Sequence, residues 1–90
     1  MASNRRAVTY CARAKLLSLL GGEKRAVIFK TPPLGSLEIL FLDDAPKGDW
    51  VFLEMYPRIY ADAATYKRLG TESSIDFDFD TQEFIIKRDA

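Results

Sequence analysis

Residues 25–56 read RAVIFKTPPLGSLEILFLDDAPKGDWVFLEMY, three apolar runs separated by turn residues, and their two-residue period decides the fold class. The first run, 26–30, is rich in β-branched and aromatic side chains and ends at Pro32, Pro33 and Gly35. The second, 37–42, is closed by Asp43, Asp44, Pro46 and Gly48, and the third, 50–56, stops at Pro57. Three strands in an antiparallel meander are predicted. In the second strand Leu37, Ile39 and Phe41 alternate with Leu40 and Leu42, so both faces are apolar and a central position in the sheet follows.

Upstream, residues 3–20 read as a helix, with Ser3 or Asn4 as its cap and Gly21-Gly22 as its stop. Val8, Cys11, Ala12, Leu16, Leu19 and Leu20 recur at three- and four-residue steps. Ala7, Tyr10, Ala14 and Leu17 widen that stripe, leaving Arg6, Arg13 and Lys15 at a basic rim. Downstream, 61–69 reads as a short helix with Asp62 at its positive end and Gly70 at its stop. The tail, 75–87, reads as a hairpin in which Ile75, Phe77 and Phe79 alternate with Asp76, Asp78 and Asp80 before a turn near Thr81 and Gln82. The expectation is a single α+β domain over residues 1–90, in the order α-β-β-β-α-β-β. It has two helices on one face of a mostly antiparallel sheet of about five strands.

Ninety residues with 48% hydrophobic and 29% charged side chains make one globular domain with a modest core. A single cysteine, Cys11, closes no internal disulfide, which points to a cytoplasmic protein. No export signal and no membrane-crossing segment is expected, because Arg13 and Lys15 interrupt the N-terminal apolar stretch. The absence of histidine removes Ser-His-Asp and Cys-His chemistry and histidine-based metal sites. Gly21-Gly22-Glu23-Lys24-Arg25 follows a helix instead of a strand and lacks the spacing of a phosphate-binding loop. The chain is therefore expected not to be an enzyme, and to carry no cofactor and no metal. Cys11, on the apolar stripe, is read as a small hydrophobe.

The net charge of zero conceals two halves of opposite sign. Residues 1–30 carry seven basic side chains against one acidic, a net of +6, and residues 31–90 carry six against twelve, a net of −6. Such polarisation bears on partners and not on fold. Asp76, Asp78 and Asp80 would stand on one strand face about 6.6–6.8 Å apart, a step comparable to the phosphates of a nucleic-acid strand. The plain alternative is a solvated face that discourages edge pairing. If both helices cover one sheet face, Trp50, Phe52 and Tyr56 are left on the other as apolar anchors for a partner. The alternative is a sheet that curls to bury them.

Together these features favour a small non-enzymatic interaction protein that binds and inhibits or regulates a protein or nucleoprotein partner. That is the type of immunity proteins, small inhibitors and phage counter-defence proteins. The expected partner-binding residues are Asp76, Asp78, Asp80, Trp50, Phe52 and Tyr56, and a homodimer joining basic helix to acidic hairpin is a further expectation. The competing reading is a nucleic-acid-binding regulator that contacts phosphates through Arg5, Arg6, Arg13 and Lys15.

Overall fold

Every residue of the run 26–29 is buried, on both faces of its strand, and that places it at the middle of a sheet. The computed structural model describes residues 7–88. It runs α1 (Tyr10–Leu20), β1 (Ala26–Lys30), β2 (Glu38–Leu42), β3 (Val51–Glu54), β4 (Ile59–Ala61), α2 (Ala63–Leu69), β5 (Ser73–Asp78) and β6 (Glu83–Arg88). The α+β class and the element order agree with the sequence reading. The strand count is six, in a four-stranded sheet of order β2-β1-β4-β3 and a separate β5-β6 hairpin, in place of about five strands in one sheet.

The additional strand is β4, three residues directly after Pro57 and Arg58, too short to display a period. Its presence reorganises the expected meander. β1 pairs antiparallel with β2 but parallel with β4, and β3 pairs with β4 instead of β2. The central position expected for β2 belongs to β1, and β2 is an edge strand with strict alternation of exposed and half-buried residues. β2 and β3 lie parallel on opposite edges, so the connection 43–50 spans three strand spacings, about 14 Å.

The inner face of the sheet carries Val27, Phe29 and Ile59, which join Val8, Leu16, Leu20, Leu69, Ile75, Phe77 and Phe84 in one core. The hairpin faces the sheet across this core instead of extending it: the Phe29 and Phe84 rings meet edge to face at 5.3 Å, and Phe84 meets Phe77 at 4.9 Å. The segment before α1 lies beside β5, where Val8 forms a parallel bridge with Ile75. The Thr9 amide donates to the Ile75 carbonyl at 2.9 Å, and the Ile75 amide donates to the Ala7 carbonyl at 2.8 Å.

Helix α1 starts later than its periodicity predicts. Thr9 is the N-cap, its hydroxyl accepting from the Ala12 amide at 3.2 Å; Ser3 and Asn4 lie outside the described residues. Only the row Ala12, Leu16, Leu20 is buried, whereas Cys11 and Leu19, assigned to the same stripe, are exposed. A helix that meets its neighbours along a narrow seam buries a single i, i+4 row, and the wider stripe faces water. Gly21 ends the helix in the left-handed region at φ 59°, donating to Leu17. No helix among the described residues is long and apolar enough to cross a membrane.

Helix α2 is held by Asp62, which accepts from the Thr65 amide at 2.9 Å and from the Thr31 amide at 3.3 Å. Burial pushes its carboxyl up, but the hydrogen bonds from Thr65 and Thr31 and the nearby Lys30 charge outweigh burial, leaving it below its ordinary 3.8. A depressed folded-state value contributes stability that is present above the unfolded value and lost as pH falls through the folded one. Asp62→Ala is expected to cost about 1–2 kcal/mol near neutrality. The gap from wild type should close below about pH 4, as urea titrations at both pH values would show. Asp62→Asn, which still caps, should recover most of the neutral-pH loss.

Candidate docking cleft

Two connections meet beside the C-terminal end of α1. One is the turn through Gly21 and Gly22 that leads to β1; the other is the segment 55–58 between β3 and β4. They are tied together where the Val27 amide donates to the Arg58 carbonyl at 2.8 Å and the Arg58 guanidinium donates to the Lys24 carbonyl at 3.3 Å. Between them lies a cleft of about 350 Å³. Its apolar lining comes from Leu17, Leu20, Met55, Tyr56 and Pro57.

Met55 and Tyr56 are 74% and 76% exposed, with Leu17 half-exposed beside them. On α1, Tyr10, Ala14 and Leu17 stand at i, i+4 and i+7, all exposed, so an apolar helix stripe runs up to the cleft. The charged lining is Lys24, Arg25 and Arg58 against Glu23, a positive surplus. Arg25 is shared between Glu23 at 3.6 Å and Asp43 at 3.3 Å. These exposed pairs hold it weakly.

The three aromatic anchors expected to share a face are dispersed. Phe52 stands on the outer face of the sheet, its ring 5.4 Å from that of Tyr60. Across that face the register aligns Leu40, Ile28, Tyr60 and Phe52 from edge to edge, and Ile28, between Leu40 and Tyr60, is only 1% exposed. Trp50 precedes β3 and its indole donates to the Lys47 carbonyl at 2.8 Å, bracing the crossing segment. Tyr56 leaves the sheet altogether, because a register shift between Phe52 and Glu54 breaks the alternation that would have aligned it with Phe52. It lines the cleft instead.

The carboxylate row is partly engaged inside the fold. Asp76 accepts from the Thr9 hydroxyl at 2.5 Å, fastening the start of α1 to β5. Asp78 accepts from the amides of Asp80 and Thr81 at 2.9 and 3.4 Å and so folds the hairpin turn. Asp80 stays exposed in that turn. Glu83, which stands opposite Asp78, accepts from the Ser36 hydroxyl.

The basic rim is also redistributed. Arg13 turns towards Glu54 at 3.4 Å, and the Lys15 ammonium sits 5.2 Å from the centre of the Phe77 ring. Neither forms a row with the other for contacting a phosphate backbone, and Arg5 and Arg6 lie outside the described residues. Among the described residues no three His, Cys, Asp or Glu side chains gather as metal ligands.

Sequence reasoning missed Leu17, Lys24, Met55 and Arg58 as members of one site. Each was legible locally, as a helix end or a strand end. Their meeting depends on β4 pairing beside β1, which brings 55–58 against 22–25. Comparison with known proteins returns no matching family model, no similar curated protein and no similar solved structure.

Proposed function

We propose that this chain is a small non-enzymatic interaction protein that binds a protein partner through the cleft and thereby inhibits or regulates it. The observation that carries this reading is the pair Met55 and Tyr56, each about three-quarters exposed beside Leu17 at an apolar depression. Exposed side chains of this kind, one flexible and one aromatic, serve as contact anchors, and they gain free energy only when a partner covers them. Lys24 and Arg58 at the margin favour a partner segment in which an apolar side chain is flanked by carboxylates. Binding of a macromolecule at this place would act by occupancy, which needs no reacting group.

The test is quantitative co-purification from nuclease-treated lysate of the native host. It compares the wild-type chain with Met55→Asp, Tyr56→Ser and Arg58→Glu. A stoichiometric protein held by the wild type should be lost from Met55→Asp, with an expected weakening of about 2 kcal/mol or more for a central anchor. Thermal unfolding of Met55→Asp and Tyr56→Ser should move little, because those two side chains are already exposed. Retention that is indifferent to all three variants, or recovery of nucleic acid alone, would overturn the reading.

A further inference from the structure

The β5–β6 turn supplies the kind of segment the cleft favours. Its sequence from 78 to 83 is DFDTQE, in which Phe79 stands between Asp78 and Asp80, with Glu83 three residues on. Phe79 is 62% exposed, yet its position is defined: its ring lies edge-on to Phe77 at 5.1 Å. The turn below it is closed by the Gln82 amide donating to the Asp78 carbonyl at 2.8 Å. The Gln82 side chain donates to the Phe79 carbonyl at 2.7 Å. An aromatic side chain held in this way loses little conformational freedom on docking, which lowers the cost of association.

The tip and the cleft are complementary in each respect that governs such a contact. One is an apolar projection with carboxylates beside it, and the other is an apolar depression with Lys24 and Arg58 at its margin. A volume of about 350 Å³ lies at the small end of ligand pockets and suits one large side chain better than an extended peptide. Leu34, the most exposed apolar side chain among the described residues, stands between Pro33 and Gly35 with no carboxylate next to it.

We propose that the occupant of the cleft is the β5–β6 tip of a second copy of this chain, with Phe79 seated against Met55 and Tyr56 and Asp80 facing Arg58. The proposal rests on the reading of the cleft as a docking site. Two copies that exchange tips make the same contact twice and close a twofold dimer. The pairing of opposite charges makes the association weaken as salt rises, while burial of Phe79 leaves a part that does not.

Sedimentation velocity on the full chain, across micromolar to millimolar concentration at low and high salt, measures this directly. The wild type should show a monomer–dimer equilibrium that shifts to monomer with salt. Phe79→Ser, Arg58→Glu and Asp80→Arg should each raise the dissociation constant about tenfold or more, a change of about 1.4 kcal/mol. Circular dichroism should confirm that all three remain folded. The decisive mixture is Arg58→Glu with Asp80→Arg. Each dimerises weakly alone, but together one tip–cleft contact is charge-reversed and the other is native, so the mixture should form a heterodimer more tightly than either variant forms its homodimer.

A chain that stays monomeric throughout, or a dimer unaffected by the three variants, overturns the proposal. The co-purification with the full chain separates the two levels. A different protein that a monomeric wild type holds and Met55→Asp loses leaves the cleft a docking site and removes self-association. Indifference of both co-purification and dimer to the cleft variants removes both readings.

Discussion

Phe29→Ala is expected to destabilise the protein by about 3–5 kcal/mol, the largest effect of any single truncation proposed for this fold. Phe29 is fully buried on the central strand, flanked in register by Ile39 and Ala61. Its ring touches that of Phe84, so it joins the four-stranded sheet to the hairpin across the core. Truncation loses the transfer free energy of the ring and leaves a cavity that two sheets with separate hydrogen-bond networks cannot close by moving together freely. A domain of this size has about 5–15 kcal/mol of total stability, so the variant sits near the limit of folding. The melting temperature should fall by about 15 °C or more in thermal circular dichroism. Phe79→Ala, at the exposed hairpin tip, is the matching control and should change it little. A loss below about 1 kcal/mol for Phe29→Ala would mean that hairpin and sheet do not share one core.

Glu54→Ala is expected to cost about 2–3 kcal/mol, short of the 3–5 kcal/mol of a fully buried pair because both side chains retain some contact with water. The Arg13 and Glu54 side chains are 17% and 14% exposed, and the guanidinium Nη2 lies 3.4 Å from Glu54 Oε1. Arg13 Nε is buried with no hydrogen-bond partner. Removing the carboxylate therefore leaves a partly buried cation whose remaining donors are already incompletely satisfied. The double variant Arg13→Met with Glu54→Leu removes both charges and fills the space with apolar side chains. It should cost less than the sum of its two single variants. Urea denaturation of Arg13→Met, Glu54→Leu and the double variant gives the coupling free energy. Single variants that each cost less than about 0.5 kcal/mol would show the pair to be solvated.

The same Arg13 marks where the sequence could be read and where it could not. Its place on α1 follows from the three- and four-residue steps around it, but its direction does not. The spacing reads as one apolar stripe through Val8, Cys11, Ala12, Leu16, Leu19 and Leu20, widened by Tyr10, Ala14 and Leu17, and it does not say how much of that width meets the core. Docking against β5 buried only Ala12, Leu16 and Leu20 of the helix, left Tyr10, Cys11, Ala14, Leu17 and Leu19 exposed, and turned Arg13 toward Glu54. Met55 and Tyr56 were legible as the end of an apolar run, and alternation placed Tyr56 with Phe52. The register shift after Phe52 removed that alignment and delivered Tyr56 to the cleft.

What the chain determines on its own is local: the stops at Gly21 and Gly70, Asp62 at the positive end of α2, the alternation of β5, the hairpin turn near Thr81 and Gln82, and the polarised charge. These arise from contacts within a few residues, whose energies are set by backbone conformation and side-chain reach. Strand partnership, the centrality of β1, the separation of the hairpin from the sheet and the assembly of the cleft belong to the tertiary structure. Each requires segments tens of residues apart to compete for the same apolar surface. The outcome depends on which pairing buries Val27, Phe29 and Ile59 together, a quantity that no local pattern encodes.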